Sequence, residues 1–354
     1  MSPVKPGYTR PLDVRHGRID MSHGSGGRSM VQLIEQIFLS AFDNPALAAR
    51  DDHAVLATPP ELALGGQLVM ATDSHVVSPL FFPGGDIGSL SVHGTVNDVA
   101  MAGARPLWLS AGFILEEGFP LADLQRIVTS MAQAAEEAGV PIVTGDTKVV
   151  QAGKGDGVFI NTTGVGVTRP GMHLSGSLAR PGDAILVSGT MGDHGVAVMS
   201  VREGLSFGTT LLSDTQSLHT LVAAMLDAVP GIHVLRDPTR GGLGATLNEI
   251  ASQSGVGMRL VESAIPVRGA VRAACELLGL DPLYVANEGK LLAICPVDQA
   301  DALLAAMRAH PLGRDAARIG SVVDDPNRFV QMTTALGGQR MVDWLSGEQL
   351  PRIC

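Results

Sequence analysis

The sequence predicts an α/β protein of two domains, and three observations support this. A length of 354 residues exceeds the roughly 250–300 residues at which a single hydrophobic core stops growing. Apolar residues make up 45% of the chain and 43 residues are Gly, a composition typical of a globular protein rich in tight turns. Strand-like and helix-like segments alternate in both halves, on either side of a break rich in Pro and Gly.

The first half of the chain is predicted to form one α/β unit. Apolar residues recur at helical spacing from Met30 to Ala41, and two longer helical stretches stop at Gly103 and Gly139. In chain order we expect helix 30–41, strand 67–71, helix 86–101, strand 108–113, helix 121–138, and strands 140–144 and 158–167.

The second half is predicted to form another α/β unit of the same kind. It opens with an apolar strand at 184–187. We expect three further strands, at 257–261, 291–295 and 319–322, and three helices, at 241–253, 271–278 and 300–310.

Domain boundaries follow from these segments and from the glycines between them. We expect an N-terminal extension at 1–22, a first domain at 23–170, a linker at 171–182, a second domain at 183–335 and a flexible tail at 336–354. The tail contains Gly337, Gly338 and Gly347. Fully extended from Gly338, it would reach about 50–58 Å, enough to deliver Cys354 to a distant pocket.

Charge and hydropathy exclude two classes of partner. The N-terminus has no apolar signal segment, and no stretch approaches the roughly 18 consecutive apolar residues of a membrane helix, so we expect a cytoplasmic protein without membrane association. A net charge of −10 argues against a nucleic-acid surface, whereas acidic residues gathered at one site could hold Mg²⁺ against the phosphates of a nucleotide.

Aspartates recur where a predicted strand ends or a helix begins, which is where α/β proteins place ligand-binding residues. Taken singly, each could be a turn residue or a helix N-cap. Together they favour Mg²⁺ binding, because this ion prefers oxygen ligands. The residues concerned are Asp51, Asp52, Asp73, Asp98, Asp146 and Asp237.

Helix 86–101 presents polar residues on one face. His93 and Asn97 are four residues apart, as are Gly94 and Asp98, so each pair shares a side of the helix. The face is either a ligand site or simply solvated. His23, His53, His75 and His93 lack HxxxH or HExxH spacing, so polar packing or phosphate contacts are expected rather than a zinc site.

Glycines of the segment HGSGG, namely Gly24, Gly26 and Gly27, precede a predicted helix N-terminus, where backbone N–H groups favour an anion. The two best-known phosphate loops, GxxxxGKS/T and GxGxxG, are absent. Lys148 follows Asp146 and could balance phosphate charge, and Glu288 precedes a buried strand. For each alone, simple surface solvation is the alternative.

The three cysteines do not form a disulfide or zinc framework. Cys275 and Cys295 lie in a helix-like and a strand-like segment and are expected to be buried. Cys354 is the last residue, so it cannot belong to a prenylation box. The preceding Arg352 places a cation near its thiol.

Six motifs and their order resemble the HypE hydrogenase expression/formation proteins, members of the PurM-like superfamily that includes aminoimidazole ribonucleotide synthetase and selenophosphate synthetase. The motifs are HGSGG, DDHAV, ATDSHVVSPLFFPGGDIG, VNDVAMAGARP, GDTKVV and DPTRGGLG, and the terminal PRIC resembles the HypE tail alone. The resemblance runs from about Gly24 to Cys354, and the first twenty residues lie outside it.

This resemblance implies a two-domain PurM-like fold, a homodimer that pairs strands of the N-terminal domains, and an ATP site with Mg²⁺. It places Asp52, Asp73, Asp98, Asp146 and Asp237 at the metal. Nucleotide binding would involve Gly24, Gly26, Gly27, Asp51, Asp52, Asp73, His75, His93, Asn97, Asp98, Asp146 and Asp237.

The resemblance also implies a reaction, in which a carbamoyl group on Cys354 is dehydrated to a thiocyanate at the expense of ATP, with Glu288 and Lys148 at the chemistry. Its partners would be a HypF-type carbamoyltransferase and a HypC–HypD-type iron scaffold complex. Two alternatives remain: an ATP-dependent enzyme of the same superfamily acting on a small molecule, and a nucleotide-binding scaffold without catalysis.

Overall fold

The protein was analysed as a computed structural model that describes residues 12–50, 53–204, 211–345, 350 and 352–354. These residues form two α/β domains that pack against each other. Among them, no helix is both long and apolar enough to cross a lipid bilayer.

The N-terminal domain is built on a four-stranded sheet of order β1-β6-β4-β5. Strands β4 and β5 are parallel and the other neighbours antiparallel. The strands are β1 (Leu68–His75), β2 (Phe81–Phe82), β3 (Gly85–Asp86), β4 (Ala104–Glu116), β5 (Ile142–Val150) and β6 (Val158–Thr168), with β2 and β3 forming a separate hairpin. The helices are α1 (Arg28–Leu33), continued as a π-helix over Ile34–Leu39, α2 (Pro45–Ala48), α3 (Pro60–Ala63), α4 (Ile87–Met101) and α5 (Leu121–Ala138).

Helix α4 is the central helix of the molecule. It begins after Asp86, whose carboxylate accepts hydrogen bonds from the N–H groups of Gly88 and Ser89 at 2.8 and 3.0 Å, as expected of an N-cap. The helix is buried on nearly all sides, between the sheet, α5 and the second domain. The polar face predicted for it is therefore not a solvated surface.

Helix α5 covers the same side of the sheet. Leu124, Ile127, Val128 and Met131 form its buried face, and it ends at Gly139, which adopts a left-handed conformation with φ of 66°. The opposite side of the sheet leaves large apolar side chains in solvent. Leu68, Met70 and Ile114 are 59%, 73% and 45% exposed.

The C-terminal domain is built on a seven-stranded sheet of order β13-β12-β9-β11-β7-β10-β8. Its strands are β7 (Ala184–Val187), β8 (Val234–Arg236), β9 (Gly257–Val261), β10 (Leu292–Cys295), β11 (Ala317–Val323), β12 (Val330–Thr333) and β13 (Gln339–Met341). Its helices are α6 (Asp193–Arg202), α7 (His219–Ala228), α8 (Gly242–Ser254), α9 (Gly269–Leu278) and α10 (Ala300–Ala309).

The hydrophobic core is continuous between the domains. Ala100 and Met101 of α4 pack with α7 and α10, while Val196 of α6 and Val271 of α9 pack with the core of the N-terminal domain. Because apolar side chains are shared in this way, the groove between the domains has fixed walls. Carboxylates of both domains meet in this groove, namely Asp73, Asp98, Asp237 and Glu288.

The structure differs from the sequence prediction at both ends of the chain. Residues 339–341 form β13 and pair with β12, so the sheet of the second domain continues past residue 336, where the tail was predicted to begin. At the other end, part of the predicted extension, around Ile19, packs into the N-terminal domain. Ile19 is buried, and it exchanges backbone hydrogen bonds of 2.8 and 2.7 Å with Phe119 and Gly118.

Candidate functional site

Four carboxylates from both domains converge in the groove between them. Asp73 lies near the end of β1, Asp98 on α4, Asp237 just after β8, and Glu288 in the loop before β10. A Cβ atom placed on Gly94 would lie 3.9 Å from Asp73 Oδ2 and 4.0 Å from Glu288 Oε2, so two of these side chains point at the same spot on α4. We call these four residues the carboxylate cluster.

The electrostatics of the cluster show an excess of negative charge. Burial, together with Asp237 and Asp73, raises the pKa of Asp98 to about 8. Burial is also the main cause that raises the pKa of Asp237 to about 6, and Asp73 adds to it. The pKa of Glu288 is raised well above its ordinary value by burial first and then by Asp237, Asp214, Asp73 and Asp98. A bound cation would relieve this repulsion.

The cluster fits a Mg²⁺ ion that shares its ligands with a nucleotide. Glu288 Oε1 is buried and has no hydrogen-bond partner among the described residues. Within the same part of the chain, no three His, Cys, Asp or Glu side chains are close enough to hold a metal ion by themselves. Since Mg²⁺ usually keeps water and phosphate oxygens in its shell, one or two carboxylates suffice.

The polar residues of α4 tie the two domains together at this site. The amide of Asn97 donates to the carbonyl oxygens of Gln216 and Glu288 at 3.0 and 3.1 Å, and its oxygen accepts from Leu218 N–H at 2.7 Å. Asn97 therefore holds the Glu288 loop in place. A contact between Asn97 and a nucleotide, as the sequence predicted, would come in addition to these three hydrogen bonds. His93 Nδ1 lies 2.8 Å from Ser217 Oγ, and burial lowers the pKa of His93 to about 4.

His75 is buried beside the cluster. Its Nε2 lies 3.8 Å from Asp73 Oδ2 and 3.4 Å from Thr162 Oγ1. Burial lowers the pKa of His75, and the charge of Asp73 opposes this effect. The neutral ring can orient Asp73 without adding a charge.

The Glu288 loop is held by residues that the sequence analysis did not identify. Asp214 Oδ1 accepts from Glu288 N–H at 3.0 Å, and Asp214 Oδ2 forms a buried ion pair with Lys290 Nζ at 3.2 Å. A side chain on Gly289 would overlap the carbonyl oxygen of Asp214. No local motif marks Asp214, and only its position in the fold reveals this contact.

The chain terminus lies in the same groove. Cys354 Sγ is 3.6 Å from Arg240 Nη2, and the carbonyl oxygens of Cys354 and Arg352 accept from Val76 N–H and Ser78 N–H, both at 3.2 Å. Burial first, and then the charge of Glu288, raise the pKa of the Cys354 thiol to about 11, while Arg240 acts in the opposite direction. The terminal thiol thus lies beside the carboxylate cluster, as a protonated group.

The remaining predicted residues lie elsewhere in the same chain. Asp146 and Lys148 form an exposed ion pair of 2.6 Å on β5, where Gly24 packs against Val149. The nearby Gly26 is open to solvent and Gly27 is the N-cap of α1. Asp51 and Asp52 lie outside the described residues.

Strand order explains this separation. The register places Asp73 of β1 beside Thr162, Thr162 beside Ala111, and Ala111 beside Gly145 of β5. Three steps of roughly 4.8 Å put the two edges about 14 Å apart. Within one chain, Asp146 and Lys148 therefore do not join Glu288 and Cys354.

Comparison with known proteins matches both domains and nearly the whole chain. Residues 50–168 match the family model of the AIR synthase related protein N-terminal domain, and residues 180–333 match that of its C-terminal domain. The carbamoyl dehydratase HypE of Cupriavidus necator is 70% identical over 351 residues, which is 99% of each chain. That of Azotobacter vinelandii is 72% identical over 343 residues, 97% of this chain and 99% of the relative.

Solved structures give the same result. A crystal structure of the hydrogenase maturation protein HypE in complex with ATP is 54% identical, with a TM-score of 0.90 over 94% of this chain and 99% of that one. A HypE–HypF complex includes a chain that is 50% identical, with a TM-score of 0.77 over 88% of this chain and 99% of that one. The alignment with the Cupriavidus protein also covers most of the leading segment, which the sequence analysis had set outside the resemblance. Because both domains match these family models and the sequence is 70–72% identical to these relatives, the chain belongs to the HypE carbamoyl dehydratase family, within the AIR synthase related proteins.

Proposed function

We propose that this protein uses ATP to dehydrate an S-carbamoyl group on its own Cys354 to a thiocyanate, and so supplies the cyanide ligand of the iron in nickel–iron hydrogenase. One observation carries the proposal. The terminal thiol lies beside Glu288 and the aspartates, so its electrostatics depend directly on the acidic site.

The reaction needs an activated oxygen. The starting group is –S–C(=O)NH₂, and oxide is too poor a leaving group to depart from it directly. ATP with Mg²⁺ supplies the phosphoryl group that converts this oxygen into a phosphate ester. Loss of the two N–H protons and of phosphate then gives –S–C≡N, with ADP and inorganic phosphate as the other products.

Three sets of residues divide this work. The aspartates of the carboxylate cluster, Asp73, Asp98 and Asp237, are suited to hold Mg²⁺ against the phosphates. Glu288 accepts an N–H proton, since the cation would oppose the burial and the neighbouring charges that together raise its pKa. Arg240, 3.6 Å from Cys354 Sγ, orients the group on sulfur.

A homodimer would complete the site. The sheet face that carries Leu68, Met70 and Ile114 is apolar and exposed, as expected of a surface that a second copy covers. Strands β1 and β5 are the two free edges of this sheet. We propose that dimerisation brings the partner subunit's Lys148, with its Asp146 and glycine segment, beside the carboxylate cluster, where its charge stabilises the phosphorylated oxygen.

Partners follow from the chemistry. A HypF-type carbamoyltransferase would load Cys354, and a HypC–HypD-type complex would receive the cyano group on its iron. Both exchanges require the thiol to leave the groove, and residues 346–349, which precede it, include Gly347. Because ATP is consumed, we place the reaction in the cytoplasm.

Intact-mass analysis tests the reaction. After incubation with the carbamoyltransferase, carbamoyl phosphate and ATP, the chain should gain a carbamoyl group and then lose one water. The Cys354→Ala variant should remain unmodified, and Glu288→Gln should stop at the carbamoyl adduct. ATP turnover that is unaffected by Cys354→Ala would instead indicate a small-molecule enzyme. Nucleotide binding without any turnover would indicate a scaffold.

Hybrid dimers test the shared site separately. A Lys148→Ala chain and a Glu288→Gln chain, each carrying a different affinity tag, are co-expressed and the hybrid is purified on both tags. If each site uses Glu288 of one chain and Lys148 of the other, one of the two sites is intact, giving about half the normal turnover. Mass analysis should find the thiocyanate only on the Lys148→Ala chain. An inactive hybrid would show that Lys148 serves its own chain.

A further inference from the structure

Helix α6 lies along the end of the chain and donates hydrogen bonds to two of its carbonyl groups. His194 Nε2 lies 2.8 Å from the carbonyl oxygen of Ile353. Arg202 Nη2 lies 2.8 Å from the carbonyl oxygen of Arg352. Both acceptors belong to the backbone, one and two residues before Cys354.

The protonation state of His194 is fixed by its surroundings. The ring is fully buried, and burial lowers its pKa, so it is neutral. Since a carbonyl oxygen can only accept, the ring proton is on Nε2, and Nδ1 accepts from Ser213 Oγ at 2.8 Å. The edge-on ring of Phe82, 5.4 Å away between centroids, limits its movement.

Arg202 connects three parts of the molecule. Its guanidinium donates from Nε to the carbonyl oxygen of Ser78 at 3.0 Å, and it also reaches Arg352 in the tail. Ser78 N–H in turn donates to the same Arg352 carbonyl group. A lysine at this position could not bridge two carbonyl groups in the same plane, because its ammonium is a single point of charge.

Two apolar side chains of the tail complete the contact with α6. Leu350 and Ile353 are buried, at 9% and 2% exposure, and pack with Val196 and Val285 in the core that the domains share. Gly195 makes room for Leu350, whose Cδ1 would lie 3.3 Å from a Cβ atom placed there. Residues 350 and 352–354 therefore occupy a fitted groove, with α6 as one wall.

We infer that His194 and Arg202 are positioning residues that hold the tail so that Cys354 faces Glu288. The catalytic consequence of this inference rests on the proposed function. The docking of the tail does not depend on that function. Neither side chain is a neighbour of the reacting sulfur, which contacts Arg240. Because both bind backbone carbonyl groups, they hold the free, carbamoylated and cyanated tails alike.

Alkylation of the thiol tests docking without any turnover. The purified full-length protein is treated with iodoacetamide, and the rate at each cysteine is followed by peptide mass spectrometry. Loss of a charge-assisted hydrogen bond in Arg202→Met should speed modification of Cys354 about tenfold, and His194→Phe about fivefold. Arg202→Lys should lie between Arg202→Met and the unaltered protein.

Internal controls separate docking from unfolding. Cys275 and Cys295 are fully buried and should stay unmodified in every variant. Arg272→Met, at an exposed position on α9, should leave the Cys354 rate unchanged. Equal Cys354 rates in the Arg202→Met, His194→Phe and unaltered proteins would overturn the inference.

Single-turnover dehydration gives the catalytic readout. Protein that already carries the carbamoyl group is mixed with ATP, and loss of water is followed by mass. Arg202→Met should lower the maximal rate about tenfold without changing the KM for ATP, and loading by the carbamoyltransferase should not slow. A raised KM for ATP with an unchanged maximal rate would refute the positioning role. Failure of the unaltered protein to dehydrate would refute the proposed function, while the alkylation result would still decide docking.

Discussion

Asp98→Asn should stabilise the protein in the absence of Mg²⁺ and nucleotide, although it should impair the enzyme. Asp98 has a pKa of about 8 in the folded state, against an ordinary value of 3.8. The folded protein therefore binds this proton more tightly than the unfolded chain does. The resulting loss of stability is absent below about pH 4, grows as the pH rises, and is complete above about pH 8.

The magnitude follows from the size of this pKa shift. About four pKa units at 1.36 kcal/mol each set an upper limit of roughly 6 kcal/mol. Because Asp98 is partly exposed, solvent screening reduces this to about 3 kcal/mol. With an unfolding entropy of roughly 2.1 cal/mol/K per residue, 3 kcal/mol corresponds to about 4 °C for a chain of this length.

The assay is thermal melting of the two proteins from about pH 5 to 8, without Mg²⁺ or nucleotide. The variant should melt only about 1 °C higher than the unaltered protein at pH 5 and about 4 °C higher at pH 8. Asp43→Asn, which changes an exposed carboxylate outside the cluster, should show no such divergence. Parallel melting curves for Asp98→Asn would refute the claim that the cluster holds repelling carboxylates.

Three further predictions concern the Glu288 loop and the tail. Gly289→Ala should displace the loop, because the new methyl group meets the carbonyl oxygen of Asp214, and dehydration measured by mass should fall at least about tenfold while carbamoyl loading continues. Ile353→Ala should weaken docking by about 2 kcal/mol through lost burial, and Cys354 should be alkylated about 30-fold faster. The docked thiol has a pKa of about 11 against an ordinary value of 9.0, so docking favours the protonated thiol. Docking is therefore strongest below about pH 9 and weakens as the pH rises through about 11. Alkylation of the unaltered protein should therefore keep rising towards pH 11, whereas Arg202→Met, with docking weakened about tenfold, should level off up to about one pH unit lower; identical pH profiles would contradict it.

Local sequence patterns predicted the elements whose signals are local. Helix α5 matched its predicted range, because its apolar spacing and the left-handed Gly139 define both face and end. Helix α4 was predicted within one residue, with Gly103 marking its end. Helix α6 was not predicted, since it is buried along nearly its whole length and so lacks the alternation of apolar and polar faces that marks a surface helix.

The site was only partly predictable for the same reason. Motifs identified Asp73, Asp98 and Asp237, and the family resemblance added Glu288; the fold brings these four residues together. They could not show that Lys148 lies at the opposite edge of the sheet, because strand order is a property of the whole domain. Asp214 carries no local signature, and its contact with the Glu288 loop arises from packing between distant segments.

The acidity of the groove has a consequence for which form of the tail it accepts. A thiolate on Cys354 would be buried and would also face Glu288 and Asp73, and these causes, burial first, raise the pKa of this thiol to about 11. A protonated thiol, a thiocarbamate and a thiocyanate are all neutral and avoid this repulsion. The groove therefore favours the neutral forms and disfavours the one sulfur species that could itself attack the phosphate of ATP. In the proposed reaction, the same negative charge would hold the cation and keep a thiolate away from the nucleotide, which would limit phosphoryl transfer to the carbamoyl oxygen.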